Sequence, residues 1–365
     1  MPCKIVWDGK EFSVPEELGK PREDQLQGSN LDKLVELSGR TCYRSLGRGR
    51  PSADYHKHII EVGHLSVIEH ANLTFELRNL EVPEYLSICE VLLNRPGIWA
   101  TKIAPSVLLP NRTFTIRLTT NLRAIREWFK YPKANKWAEI VGASLQYLAK
   151  KESPLVMGDI ENTHIGVPFE VVEPNLDEEI WLSFYIYNVS RALSHEIVRH
   201  GDFTGISQLS SRYVSEDDSP WIWHPLLNKW AKETTTGSTH FEINRQECNQ
   251  TYKYLVDQLE KYLVSKGVDK FTARKQSRGA ARGVLGNALA TELIFSASLS
   301  QWKHMILLRA HSAADAEIRQ LFNQVFEVLS KKYPERFENF TTKPADDGFG
   351  LQIELKKSSP RSGSA

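Results

Sequence analysis

The chain has 365 residues, of which 41% are hydrophobic and 25% charged, an ordinary balance for a globular protein of about two domains. Lys and Arg (46) nearly balance Asp and Glu (45), which argues against a nucleic-acid binder that relies on overall positive charge. No apolar run approaches the roughly 20 residues of a membrane span, and the first residues lack the apolar core of a signal peptide. Four scattered cysteines exclude a disulfide framework. We therefore expect a soluble cytoplasmic protein without nucleic-acid or membrane partners.

Runs rich in β-branched and aromatic residues alternate with helical patterns along the whole chain. The runs predict strands at 73–77, 113–118, 182–187 and 289–296. Apolar residues at three-to-four spacing predict helices at 86–93, 137–150, 191–199, 247–266 and 313–332. This mixture predicts an α/β or α+β fold, a mixed sheet covered by helices.

Segments without hydrophobic periodicity or of low complexity divide this pattern of strands and helices. Pro168, Pro174 and acidic residues break any periodicity in 157–177, and the last ten residues are polar and of low complexity. The sequence therefore predicts an N-terminal half at 1–156, a linker at 157–177, a C-terminal half at 178–345 and a tail at 346–365 that is disordered at its end.

The two halves show internal similarity. Segment 121–154 resembles 298–334, since each combines a preceding strand, an aromatic-rich helix and an amphipathic helix that ends in Lys-Lys. Segment 97–111 likewise resembles 267–287. We interpret the chain as two degenerate copies of one unit, while convergence of two strand–helix units is the alternative.

Polar residues concentrate in a few places. Segment 63–70 (GHLSVIEH) places two His, a Ser and a Glu just before a predicted strand, where a core strand would not need them. Segment 190–200 (SRALSHEIVRH) forms a cationic, hydrogen-bonding helix end, and the loop after it supplies Ser210 and Arg212. With Arg282 and Arg309, these residues would suit a phosphate, although each arginine alone is more often a solvated surface residue.

Competing motifs are weak. His195-Glu196 followed by His200 resembles the H-E-x-x-H zinc motif, but its second His falls one position too late to share a helix face, so no metal site is expected. The chain also contains neither a G-x-G-x-x-G after a strand nor a P-loop.

Taken in order, several segments resemble the flavin-dependent thymidylate synthase family. They are 42–45 (CYRS), 63–70, 190–200, 210–213 (SSRY), 281–286 (ARGVLG) and 308–318 (LRAHSAADAEI). Each piece is weak alone, but the ordered set is specific and spans most of 36–340.

The resemblance implies C5-methylation or hydroxymethylation of a pyrimidine nucleotide such as dUMP. Carbon would come from methylenetetrahydrofolate, and NADPH would reduce FAD. The resemblance places Ser210, Arg212, Arg282 and Arg309 at the nucleotide, with Arg309, Glu196 and Ser210 as catalytic residues. It assigns cofactor binding to Ser45, His64, Glu69, Asn121, Arg123, Arg199, His200 and His304.

The chain also departs from the family pattern. Gly201 stands where the family has Arg, which favours a relative that has lost catalysis. Glu196 replaces a Gln, and because an ionised carboxylate only accepts hydrogen bonds, UMP, a cytosine nucleotide or a modified pyrimidine are alternative substrates. The Asn-x-Arg of the family is Ser298-Leu299-Ser300 in the second copy but Asn121-Leu122-Arg123 in the first. We therefore expect the copies to have divided the site residues between them, in a homodimer that forms a pseudo-tetramer, or else in a homotetramer.

Four alternatives remain open at this point. The chain could be a nucleotide- or flavin-binding relative that has lost catalysis, or a flavin enzyme with another carbon donor or none. Arg274 competes with Arg282 for the nucleotide, because it also stands in an Ala-Arg pair. His304 could equally be a helix-packing residue.

Overall fold

A computed structural model describes residues 2–93, 98–102, 113–130, 136–160, 169–200, 204–234 and 237–356. Within these residues the ten strands are β1 (Cys3–Trp7), β2 (Asn72–Leu80), β3 (Ile98–Lys102), β4 (Phe114–Asn121), β5 (Phe169–Val171), β6 (Trp181–Ser190), β7 (Gly205–Gln208), β8 (Ala290–Ser298), β9 (Phe340–Pro344) and β10 (Leu351–Leu355).

The described residues also form twelve α-helices. They are α1 (Asn30–Tyr43), α2 (Ser52–Glu61), α3 (Val82–Leu93), α4 (Leu122–Arg126), α5 (Lys136–Glu152), α6 (Pro154–Met157), α7 (Arg191–Ile197), α8 (Pro225–Glu233), α9 (Gly237–Ser265), α10 (Lys270–Ala281), α11 (Leu299–Arg309) and α12 (Ala316–Lys332). The predicted mixed fold of helices and sheets is confirmed. No helix among the described residues is long and apolar enough to cross a membrane.

Two four-stranded antiparallel sheets carry the fold. One has the order β3-β4-β2-β5 and the other the order β7-β8-β6-β1, while β9 and β10 form a separate pair. In each sheet the two central strands are followed by helices. Asn121, which ends β4, and Ser298, which ends β8, both cap the helix that comes next. The two positions that the sequence comparison aligned therefore have the same local role.

The first strand of the chain completes the second sheet. β1 pairs with β6 in the register Cys3 with Ile186, although β1 belongs to the N-terminal half of the sequence. β5, which lies in the segment predicted as a linker, pairs with β2 in the first sheet. The second sheet therefore takes its edge strand β1 from the N-terminal half of the sequence, and the first sheet takes its edge strand β5 from the predicted linker. The two halves interlock in this way.

Alternation along β6 and β8 places their side chains in two cores. Tyr185 and Ile294 join a core with α1 and β2, whereas Phe184 and Phe295 pack with Trp302 on the other face, beneath α11 and α12. The second sheet is thus covered on both faces, which explains why apolar residues occur on both faces of its central strands.

Arg117 on β4 ties the first sheet to the segment that leads into β6. Its guanidinium donates to Glu76 on β2 at 2.7 Å and to both carboxylate oxygens of Glu179, at 2.8 and 2.7 Å. All three side chains are buried. A buried charge is tolerated only when it is paired in this way, so the network fixes the register between the two segments.

His70 links the two sheets. Its imidazole lies 2.6 Å from Oγ of Ser296 on β8 and 2.9 Å from Oγ of Ser207 on β7. Burial lowers the pKa of His70 from 6.5 to about 3, so the ring is neutral at physiological pH. This last residue of the 63–70 segment therefore has a structural environment, between strands of the other half.

The predicted elements differ from the observed ones in places. α9 begins at Gly237, well before the predicted start. Its first turns show little apolar periodicity, and they are packed instead through Phe241, which contacts Trp221 and Trp223. Most of segment 97–111 and the end of the predicted tail lie outside the described residues. The same is true of 161–168 in the predicted linker.

Candidate functional site

Three predicted site residues meet where α7 ends beside the C-terminus of α11. Arg309 donates from Nε to Nε2 of His200 at 2.8 Å and from Nη1 to the Glu196 carboxylate at 3.0 Å. It also donates to the backbone carbonyl of Glu196 at 3.1 Å. Arg309 lies more than a hundred positions from the other two residues in the sequence, so the fold brings two motifs into direct contact.

The charges of this cluster are set by its surroundings. Burial, and then the charge of Arg309, lower the pKa of His200 from 6.5 to about 4. Burial raises the pKa of the Glu196 carboxyl, although Arg309 opposes the rise. At neutral pH the cluster therefore presents a neutral imidazole beside a guanidinium–carboxylate pair.

Two further predicted residues lie at the edge of this cluster. Arg199 is exposed in the 3₁₀ turn after α7, and its charge opposes the rise in the pKa of Glu196. His304 is exposed on α11, and its charge contributes to the low pKa of His200. Its exposure shows that His304 does not pack in the helix interface, one of the alternatives raised above.

Glu317 supports the start of α7, although the sequence analysis gave this residue no role. Glu317 on α12 accepts from the backbone N–H of Ser190 at 2.8 Å and from its hydroxyl at 2.6 Å. Ser190 in turn caps α7 by accepting from Leu193 N–H. The contact fixes the start of the helix that carries Glu196, and its only sequence signal was that both residues lie in matched motifs.

A second group of predicted residues follows β7. Arg212 and Arg282 are both exposed, and Arg282 donates to Oγ of Ser211 at 3.4 Å. Arg212 runs past Gly279 on α10, where an added Cβ would lie 3.7 Å from its Cγ. Ser210 is held by its N–H, which donates to the Cys42 carbonyl at 2.9 Å. Neither arginine forms a salt bridge with a described residue, so both charges are available to an anion.

The competing arginine is placed differently. Arg274 lies within α10 and pairs with Glu260 of α9 at 3.3 Å. This arrangement favours Arg282 for the nucleotide site, as the sequence interpretation proposed.

A third group comes from the N-terminal half. Arg123, at the start of α4, forms salt bridges with Glu69 and, at 3.0 Å, with Glu127. Asn121 caps α4, accepting from Ala124 N–H at 2.8 Å, so its amide group remains free to donate. Asn121, Arg123 and Glu69 thus lie close together, and the charge of Arg123 is already compensated by Glu69 and Glu127.

Ser45 and His64 line a cavity of about 470 Å³ between α1, α2 and α10. Its wall includes a row of aromatic rings. Tyr43 donates to, or accepts from, Nδ1 of His64 at 3.3 Å, and the two rings are nearly parallel. Tyr213 packs edge-on against Tyr43, with ring centroids 4.9 Å apart. Tyr43 therefore joins the motif at 42–45 to the motif at 210–213.

Buried Arg40 holds the loop that closes this cavity. Its guanidinium donates to the carbonyls of Ser45, Arg48 and Arg50 and pairs with Glu36 at 2.7 Å. Arg40 was not singled out in the sequence, because a lone arginine within a helix gives no signal of burial.

The predicted residues therefore fall into four groups within one chain. Arg309 contacts His200 and Glu196, whereas Arg282 contacts Ser211 and Arg123 contacts Glu69. Gly201, the position of the missing family arginine, and Tyr131, which aligns near Arg309 in the first copy, lie outside the described residues.

Comparison with known proteins supports the resemblance. The family model described as "Thymidylate synthase complementing protein" matches residues 26–83 and 176–335. The "Flavin-dependent thymidylate synthase" of Mycolicibacterium gilvum (strain PYR-GCK) is 34% identical over 171 residues, 47% of this chain and 66% of that protein. The protein of the same name from Mycobacterium sp. (strain JLS) is 26% identical over 345 residues, 93% of this chain and 89% of that protein.

A solved structure is also similar over part of the chain. It is flavin-dependent thymidylate synthase ThyX from Helicobacter pylori complexed with FAD and dUMP, with a TM-score of 0.28, 19% identity and coverage of 44% of this chain and 73% of that chain.

The two matched segments of the family model contain the clusters around His64, Glu196 and Arg309 and together span more than half of the sequence. The chain belongs to the thymidylate synthase complementing protein family, the flavin-dependent thymidylate synthases.

Proposed function

We propose that this protein methylates a pyrimidine nucleotide, dUMP, at C5, with methylenetetrahydrofolate as carbon donor and NADPH as reductant through FAD. The proposal rests on membership of an enzyme family and on one observation of the structure. Glu196, His200 and Arg309, taken from two distant motifs, meet with hydrogen bonds of 2.8 and 3.0 Å.

In the proposed reaction the side chains orient the nucleotide and hold charge near the base. Arg212 and Arg282, exposed and without salt bridges to described residues, would bind the phosphate beside the hydroxyl of Ser210. Arg309 would place a fixed positive charge near the pyrimidine, where it stabilises negative charge that develops on the ring. Neutral His200 keeps the Arg309 guanidinium in place without competing for its charge.

The chain's residues fit a flavin best at the cavity lined by Ser45 and His64. This cavity of about 470 Å³ offers aromatic faces and cations, and no carboxylate belongs to its described lining. Bound flavin supplies the redox chemistry of the reaction. Arg123 and Asn121 would contribute to the same cofactor once Arg123 exchanges a carboxylate partner for a phosphate.

We infer further that two chains share their sites. In one chain the Glu69–Arg123 pair and the Arg309–His200 pair belong to separate clusters, and two sheets with the matching orders β3-β4-β2-β5 and β7-β8-β6-β1 fit a duplicated unit. A homodimer would then act as a pseudo-tetramer. Native mass spectrometry of the flavin-loaded protein tests this inference, which a tetramer of full-length chains with four flavins would contradict.

A second candidate function is nucleotide binding without catalysis. It is favoured by the engagement of Arg309 with Glu196, since an incoming nucleotide has to share or displace this pairing. Substrates other than dUMP, including UMP and a cytosine nucleotide, follow from the same carboxylate, which only accepts hydrogen bonds.

Tritium release decides between these functions. During C5-methylation the hydrogen on C5 leaves as a proton, while NADPH supplies the hydride that reduces the transferred methylene to methyl. We expect 5-tritiated dUMP to release tritium to water only when FAD, NADPH and methylenetetrahydrofolate are all present. Nucleotide binding without release from dUMP, UMP or dCMP would overturn the enzymatic proposal, and release without folate would point to another carbon donor or to none.

A further inference from the structure

A second cavity lies away from the candidate site, between the start of α1, β2 and the segment that follows β5. Its volume is about 400 Å³, within the range of small-molecule sites. Trp7 and Trp181 both line it, and these two indoles define what is referred to below as the tryptophan cavity. None of the predicted site residues belongs to its described lining. Trp7, Glu152 and Glu173, which line it, lie outside the segments that the family model matches.

Trp181 brings an unused hydrogen-bond donor to this cavity. Its side chain is only 4% exposed, and its indole nitrogen Nε1 has no hydrogen-bond partner among the described residues. A buried donor that lacks an acceptor costs free energy, which a bound oxygen atom would recover. The donor therefore favours a ligand that carries an oxygen acceptor beside the ring.

The charged side chains in the described lining of the tryptophan cavity are all acidic, namely Glu152, Glu173 and Glu179. Glu173 pairs with Lys10 at 3.1 Å, whereas Glu152 forms no salt bridge with a described residue. Glu152 is also the last residue of α5, where the carbonyl end of the helix adds partial negative charge. One side of the cavity is therefore negative.

Two further features keep the potential of the cavity negative. Burial opposes ionisation of Glu179, but hydrogen bonds from Arg117 and from backbone amides hold the pKa of this carboxyl below its ordinary value. Arg117 also pairs with Glu76, so one guanidinium serves two carboxylates. α1 begins at the cavity, but the capping box of Ser29 and Asp32 places a carboxylate at the positive end of this helix.

Indole rings and negative potential together select a cation, since a positive charge is attracted to the face of an indole. The type of cation follows from the carboxylates. Glu173 and Glu179 already accept hydrogen bonds from Lys10 and Arg117, so the lining offers a negative field but few free acceptors. An ammonium with N–H groups would leave them without partners on losing its water, whereas a quaternary ammonium has no N–H to satisfy.

We propose that the tryptophan cavity binds a small quaternary ammonium compound with a hydroxyl group. The cation lies against the indoles of Trp7 and Trp181, and the hydroxyl oxygen accepts from the indole N–H of Trp181. A carboxylate in place of the hydroxyl would be repelled by the acidic lining. This site goes beyond the proposed function, because its residues take no part in binding or methylating the nucleotide.

The test uses three probes of similar shape, titrated calorimetrically into the full-length protein. They are choline, tetramethylammonium, which lacks the hydroxyl, and 3,3-dimethyl-1-butanol, the uncharged carbon analogue of choline. We expect tetramethylammonium to bind about fivefold more weakly than choline, the loss of one hydrogen bond. The uncharged alcohol should bind about tenfold more weakly than choline, since it loses the cation–π attraction.

Two variants locate the site. Trp181→Phe keeps an aromatic ring but removes the N–H, so it should weaken choline about fivefold and leave tetramethylammonium within about twofold. Glu152→Gln should weaken both cations about threefold and leave the alcohol unchanged, because it removes an exposed charge. Glu139→Gln is the matched control, since Glu139 is exposed on the same helix and does not line the cavity.

Equal affinities for choline and its uncharged analogue would overturn the proposal, as would the absence of choline binding. Equal weakening of choline and tetramethylammonium by Trp181→Phe would remove the role of the N–H. If Trp181→Phe fails to fold, Glu152→Gln still decides, because its change lies at an exposed position, and unchanged cation binding there would refute the site. Tritium release by the wild-type protein tests the proposed function separately, and it stands or fails independently of choline binding.

Discussion

Arg309 donates from its Nε to Nε2 of His200 at 2.8 Å. An arginine nitrogen only donates, so Nε2 must be the unprotonated nitrogen of the imidazole, and the proton of the neutral ring is on Nδ1. The contact therefore fixes both the charge and the tautomer of a predicted site residue.

This contact predicts a pH dependence of stability. The pKa of His200 is about 4 in the folded protein and near 6.5 when the chain is unfolded, so the unfolded state binds more protons between these values. Stability should fall as the pH decreases from about 6.5 to about 4. In His200→Asn the free energy of unfolding, followed by urea titration at several pH values, should depend less on pH in this window. His240→Asn, at an exposed position of α9, should keep the wild-type slope, and identical slopes in all three proteins would refute the assignment.

Glu196 is expected to restrain Arg309. In Glu196→Gln the carboxylate is replaced by an amide of similar shape, so the guanidinium loses its compensating charge and should bind an anionic nucleotide more tightly. We expect the Kd for dUMP to decrease about tenfold, as for a charged hydrogen bond. Calorimetric titration measures this, with Glu338→Gln, at an exposed position, as the control. Unchanged or weaker dUMP binding would show that Glu196 does not oppose the nucleotide.

Arg117 should be one of the most sensitive positions for stability. Arg117→Met would leave the carboxylates of Glu76 and Glu179 buried and without their shared partner, at a cost of about 3–5 kcal/mol. Chemical unfolding measures this loss. The comparison variant is Arg78→Met, because Arg78 pairs with the same Glu76 but is 58% exposed, and it should cost less than about 1 kcal/mol. Comparable losses in the two variants would contradict the role of burial.

Gly39 allows α1 and α2 to approach each other. A Cβ at this position would lie 1.9 Å from the hydroxyl oxygen of Tyr55, so Gly39→Ala should destabilise the fold by about 1–3 kcal/mol. The hydroxyl of Tyr55 is buried and has no hydrogen-bond partner among the described residues, and Tyr55→Phe removes it at little cost. The double variant should therefore recover part of the loss in thermal stability. Strictly additive effects of the two changes would mean that the contact is relieved in another way.

The central strands could be predicted from the sequence because their burial leaves a local signature. β6 and β8 are apolar over most of their length, and β4 ends at the cap residue Asn121. α10 gave no such signature, since its buried residues are the small Ala273, Ser277 and Ala281. Hydrophobic periodicity detects large apolar side chains and misses a helix that packs closely through small ones.

The site was predictable only where a motif named its residues. The resemblance named Glu196 and Arg309 as site residues, but their contact with each other became visible only in the fold. Phe271 and Lys275, which line the same cavity as Ser45 and His64, gave no local sign, because an exposed phenylalanine and a lysine on a polar helix look like ordinary surface. Their relation to Tyr213 depends on how α10 packs, which is a long-range property of the chain.

The pairing of β1 with β6 has a consequence for how the protein is made. Cys3 is synthesised before its partner Ile186, and all four strands of the first sheet lie between the two residues in the sequence. β1 therefore stays unpaired while the strands of the first sheet are synthesised. The edge of β6 that pairs with β1 stays exposed until the two strands meet. A fragment that begins at residue 178 would keep that edge exposed permanently, and we expect such a fragment to self-associate through it.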